Sequence, residues 1–152
     1  MYQLLLFCHS LVRWLLLAGL FYCIVRACKG IVSKSIFSKT DNAARHWTAT
    51  IAHIQLVIGI ILYTQSATVK YFWTNPTTLF SNTGNAFFGL VHIFLMLTAI
   101  ILITIGSALS KRKQTAHDKF KTIMVWFSFS LIIIFIAIPW PFSPLANRPY
   151  FR

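Results

Sequence analysis

At 152 residues, 57% of them hydrophobic, the chain has room for one domain (1–152), and that domain is almost all membrane, with no soluble core of the ordinary kind. A net charge of +12 suggests a nucleic-acid footprint until its placement is read. The basic residues cluster between apolar runs, a pattern that excludes nucleic acid and points to membrane topology.

The first apolar run covers residues 4–25 and predicts a spanning helix, since about 20 mostly apolar residues cross a bilayer. Met1-Tyr2-Gln3 carries no basic side chain and the basic residues follow the run, so an uncleaved helix with its N-terminus outside is expected. His9 lies inside this run, roughly 9 Å below the outer boundary, with Arg13 one turn deeper on the same face. A charge at that depth is costly and calls for a partner, such as a haem propionate, an anionic lipid or an acid on another protein. Cys8, Cys23 and Cys28 form no CxxC pattern and read as packing residues.

The first connection holds Arg26, Lys29, Lys34, Lys39 and Arg45. Within it Thr40-Asp41-Asn42 predicts an N-cap for the second helix, 47–65, which carries His53 and is framed by Trp47 and Tyr63 as interfacial anchors. The next connection has only Lys70 among basic residues, with Tyr71 and Trp73 as further anchors. Ser81 to Asn85 punctuates the start of the third helix, 86–106, which carries Gly89 and His92 three residues apart. Lys111, Arg112, Lys113, Lys119 and Lys121 crowd the third connection, where Thr115 to Asp118 has capping-box spacing for the fourth helix, 120–138, with His117 at its edge. Pro139-Trp140-Pro141 stops that helix, Trp140 reads as another interfacial anchor, and residues 145–152 are expected to lie along the outer surface.

Two basic connections and one nearly free of charge predict both basic loops inside and both termini outside. The fold expected is all-α, an integral up-down four-helix bundle. Continuous apolar runs lack the alternation of a membrane barrel. Neither acid is placed as a membrane proton carrier, and no hydrolase constellation is visible.

In such a bundle the first and third helices are diagonal, so His9 and His92 can approach a flat macrocycle from its two faces, with Gly89 leaving room and Arg13 neutralising a propionate. His53 and His117 form a weaker inner pair, offset by roughly 10–15 Å along the axis, so one haem b is expected before two. The run His53-Ile54-Gln55-Leu56 resembles His92-Ile93-Phe94-Leu95, as opposed repeats would.

Four stretches, His9 to Trp14, Arg45 to His53, Phe88 to His92 and Ala137 to Arg152, resemble small four-helix bacterial membrane proteins of a bacteroidete group labelled cytochrome-b-like. The chain is also similar to b-type cytochromes whose antiparallel helices carry histidines near both surfaces. The resemblance implies haem b, electron transfer in the bacterial inner membrane, and a quinone or redox-protein partner. An electron carrier or subunit is expected rather than a self-contained enzyme. The alternative is a cofactor-free accessory subunit of a larger membrane complex.

Overall fold

The structure, a computed structural model, describes residues 1–75 and 83–143. Residues 81 and 82 of the expected third-helix start, and the 145–152 tail, lie outside the described residues. Among the described residues six α-helices follow in chain order: α1 (Tyr2–Val32), α2 (Lys39–Gln65), α3 (Ala67–Thr74), α4 (Thr83–Ala86), α5 (His92–Arg112) and α6 (Ala116–Ala137). A π-helical turn, Phe87–Val91, joins α4 to α5. Among the described residues there is no strand.

Among the described residues four helices are long and apolar enough to cross a membrane: Tyr2–Val32, Lys39–Gln65, Gly84–Arg112 and Ala116–Ala137. They exceed the predicted spans because their ends continue into the basic connections. Arg45 is one consequence. Assigned to the first connection by sequence, it lies on α2 and is 5% exposed.

Each long helix buries a narrow stripe. In α1 it is Leu16, Leu20, Cys23, Ala27 and Gly30, and in α6 Phe120, Ile123, Phe127, Ser130 and Ile134. Alternating steps of three and four residues make a seam suited to near-parallel packing. The opposite faces stay apolar and exposed, with Leu4, Phe7, Leu11 and Leu15 on α1 and Phe94, Leu97, Ile101 and Ile105 in α5. In α2 the polarity is inverted: Asp41, Arg45, Thr48 and Gln55 are buried, while Ile54, Val57 and Ile61 face outward. Lipid as the outer solvent explains this inversion, because apolar side chains cost nothing there while polar ones find partners inside.

α1 packs on α2 and α6, and α5 packs on α6 and α2, so α1 and α5 occupy opposite corners. The α2–α5 seam is the loosest of the four.

The helix starts are specified by side chains. Ser38, not the expected Thr40 to Asn42 group, caps α2: its hydroxyl accepts from the Asp41 N–H at 3.1 Å and the Asp41 carboxylate accepts from the Ser38 N–H at 3.0 Å. Asp41 occupies the third helical position of a capping box, which its spacing from Ser38 allows and its spacing from Thr40 does not. Its carboxylate also takes both Arg26 donors, at 2.8 and 3.2 Å. Thr115 caps α6, accepting from the Asp118 N–H at 3.1 Å, which is one half of the capping box expected there.

Candidate ligand site between His9 and His92

His9 and His92, from opposite corners of the bundle, line one cavity of about 160 Å³. Leu6, Leu56, Ile60, Met96 and Ile100 supply apolar wall, and Gln55 and Tyr63 add polar groups. Helix α3 covers one end through Thr68 and Val69. The short α3 was not anticipated from sequence, which assigned Tyr71 and Trp73 to a loop edge. They are exposed as interfacial anchors should be, while Val69 and Phe72 of the same helix are buried.

His92 is held firmly. Its Nδ1–H donates to the Ala137 carbonyl at 2.8 Å, and because a carbonyl only accepts, this bond leaves Nε2 as the lone-pair nitrogen. That carbonyl is available for a covalent reason. Its helical donor would be the N–H of residue 141, and Pro141 has none. The same logic holds two residues earlier: Pro139 cannot bond the Phe135 carbonyl, and the Trp140 indole N–H does so at 2.8 Å. Trp140 is therefore folded inward, 9% exposed and edge-on to Trp14 at 5.9 Å, rather than standing free at the interface as expected.

The π-turn ends at His92, with the His92 N–H reaching back to the Phe87 carbonyl. One extra residue in a turn rotates everything after it, and such turns recur at functional sites. A relay fixes this one: the Trp73 indole donates to the Tyr63 hydroxyl at 2.9 Å, which donates to the Gly89 carbonyl at 2.7 Å. Phe72 fills the space where a Gly89 side chain would stand. Close approach at Gly89 is thus made by Phe72 of α3.

His9 is held differently. The Gln55 amide N–H donates to the His9 main-chain carbonyl at 3.0 Å, which fixes the backbone and not the ring. The buried His9 Nδ1 and Gln55 Oε1 have no hydrogen-bond partner among the described residues. Gly59, which sequence reasoning did not single out, faces the ring edge: a Cβ there would lie 3.4 Å from His9 Cε1.

The remaining sequence candidates lie elsewhere. Arg13 is partly buried one turn beyond His9, its guanidinium 5.7 Å from the centre of the Trp14 ring, and it does not line the cavity. His53 is exposed on α2 and its Nε2 pairs with the Thr104 hydroxyl of α5 at 3.1 Å. His117 is exposed in the first turn of α6. The similar runs at His53 and His92 thus occupy unlike surroundings, one exposed and one lining the cavity.

Two imidazoles from diagonal helices line one largely apolar cavity, His92 with Nε2 left as its lone-pair nitrogen and His9 with a buried Nδ1 that lacks a partner among the described residues. The cavity is partly open, and its volume is close to the roughly 150 Å³ that takes a single benzene ring, which is less than a macrocycle fills. A macrocycle would need helices to part, and α2 and α5 touch least of the four neighbouring pairs. Among the described residues no three His, Cys, Asp or Glu side chains cluster as a metal site. No protein-family model, no curated protein and no solved structure matches the chain.

Proposed function

We propose that this chain is a multi-pass up-down four-helix subunit of the bacterial inner membrane, with both termini outside, that carries electrons through one haem b held by His9 and His92. The observation that carries the reading is the His92 Nδ1–H bond to Ala137, which leaves Nε2 as the lone-pair nitrogen of a ring lining the same cavity as His9. Up-down topology is supported by the α1–α2 pairs Arg26 with Asp41 and Gln55 with His9, in which one number rises as the other falls.

When bound, the haem supplies one-electron exchange, and ligand basicity and burial tune its potential. The chain's own residues bind, orient and exclude water. His9 and His92 would provide the nitrogens, Leu6, Leu56, Ile60, Met96 and Ile100 would keep the surroundings apolar, and Arg13, one turn beyond His9 but outside the cavity lining, is the cation this reading assigns to a haem carboxylate. A membrane quinol or a redox protein at the outer face is the partner this reading requires, and anionic lipid headgroups suit the basic connections.

The test is a dithionite-reduced minus oxidised spectrum of detergent-purified protein, with haem quantified as pyridine hemochrome. Near-stoichiometric b-type haem in the wild type, absent from a His9→Ala/His92→Ala variant of equal yield, is the expected result. No haem after expression with ample supply would sink the reading and leave the accessory-subunit alternative, which co-purification of an acidic membrane partner would then test.

A further inference from the structure

The cavity as it stands is matched to something smaller than a macrocycle. Its volume of about 160 Å³ is close to the roughly 150 Å³ that takes one benzene ring, and Leu56, Met96 and Ile100 help to make it largely apolar. A cavity with apolar walls selects its ligand through the few polar groups it fixes in place. His92 is the most firmly fixed of them. Its ring is flanked by Phe87 and Phe88, whose ring centres lie 5.7 and 6.2 Å away, and its Nδ1–H is given to the Ala137 carbonyl, so Nε2 is left with a lone pair alone. The Tyr63 hydroxyl is in the same condition, because it donates to the Gly89 carbonyl and accepts from the Trp73 indole. Gln55 gives an amide N–H to the His9 main-chain carbonyl, and its Oε1, like His9 Nδ1, is buried and out of a ligand's reach. Acceptors held in place this way call for a ligand that brings its own O–H.

We propose that this cavity binds a single aromatic ring bearing a hydroxyl, of the phenol or quinol-head class, with the O–H donated to His92 Nε2. The ring occupies the apolar space, and His92 removes the cost of burying a hydroxyl there without an acceptor. Gly59 on the cavity wall sets the size limit. A Cβ there meets His9 at 3.4 Å, so a longer side chain at that position takes the space of the ring. The site does not rest on the haem reading, because a single ring needs no helices to part. A ring free in solution and the ring head of a lipid-borne phenol share this chemistry, and the partly open cavity suits both.

The experiment places wild type, His92→Leu and Gly59→Leu in nanodiscs and follows 4-fluorophenol and its methyl isostere 4-fluorotoluene by ¹⁹F NMR. Protein-free nanodiscs correct for partition into lipid, and thermal unfolding checks the fold of each variant. Wild type should bind both probes saturably, and 4-fluorophenol at least as well as 4-fluorotoluene. His92→Leu should weaken 4-fluorophenol about tenfold, the worth of one hydrogen bond to a buried acceptor, and leave 4-fluorotoluene within about twofold. Gly59→Leu, which keeps the His92 bond to Ala137, should lose both probes. Unlabelled phenol and a phenol carrying a geranyl chain serve as competitors. Stronger displacement by the first identifies a free ring as the ligand, stronger displacement by the second a lipid-borne one, and displacement by neither overturns the proposal. It is also overturned by the absence of saturable binding to wild type, by equal loss of the two probes in His92→Leu, or by full binding to Gly59→Leu. Should His92→Leu fail to fold, a wild type that prefers 4-fluorotoluene several-fold overturns the hydrogen bond by itself. Haemin is titrated into the same samples: ring binding without haem fails the cytochrome reading and leaves this site standing, and haem binding without ring binding does the reverse.

Discussion

The two ends of this bundle are built from the same apolar helices yet resolve their polar groups in opposite ways. At the end holding the first and third connections, the buried polar side chains are matched. Asp41 binds Arg26 and Ser38, Arg45 donates to Ser107 and Asn42, Thr48 meets Cys23 at 3.4 Å, and Ser110 donates to the Lys119 carbonyl at 3.2 Å. Glycines there are filled by neighbours, Gly30 by the Phe120 ring and Gly106 by Trp126. At the other end there is a cavity, two buried polar atoms lack partners among the described residues, and, although Phe72 fills the space at Gly89, Gly59 faces the cavity-lining His9 at ordinary contact distance. A matched end holds the fold; a hollow end with unspent donors and acceptors is where a ligand is expected.

The sharpest way to break this contrast is one substitution made at both ends. Gly106→Ala should destabilise the protein most, by about 3 kcal/mol, because its Cβ would overlap the Trp126 Cβ and the backbone must shift. Thermal unfolding in detergent reads this directly. Asp41→Ala removes the α2 capping box and a buried carboxylate, with an expected loss of about 1–2 kcal/mol in the same assay, partly recovered by Asp41→Asn. At the hollow end Tyr63→Phe should cost about 1 kcal/mol by cutting the link from Trp73 to the Gly89 carbonyl. Amide hydrogen exchange across residues 87–91 should then rise about fivefold, and an unchanged rate would show that the relay does not hold the π-turn. Gly59→Ala has the smallest expected effect on stability, from none to a gain of about 1 kcal/mol from helix propensity, since its Cβ meets His9 at ordinary contact distance. If Gly59→Ala destabilised as much as Gly106→Ala, the two ends would be equally packed and the cavity would lose its standing as a site.

How much of this was readable from the chain depends on the residue. The diagonal relation of His9 and His92 follows from four spans in order, and the structure brings both to one cavity. Arg13 was placed correctly on the His9 helix but meets Trp14 rather than lining the cavity. Gly89 carried a spacing signal toward His92, yet its space belongs to Phe72 on a helix that sequence did not reveal. An eight-residue amphipathic segment is too short to announce itself by periodicity. One missed signal was present: Pro139 and Pro141 each free the carbonyl four residues earlier, and a search for buried donors would have led from Ala137 to a histidine.

The sequence by itself determined the four long helices and their approximate extents, because runs of apolar residues interrupted by basic clusters satisfy backbone hydrogen bonds in lipid only as helices. It did not determine which face of each helix turns inward, since a helix that is apolar all round has no side that water rejects. Only the tertiary structure decided that, by giving buried polar residues such as Arg45 and Gln55 their partners, by matching glycines to rings, and by leaving one seam loose. The unequal support of His9 and His92 belongs to the same class of fact. It depends on which carbonyl and which glycine happen to lie across from each ring, and helix packing alone sets those neighbours.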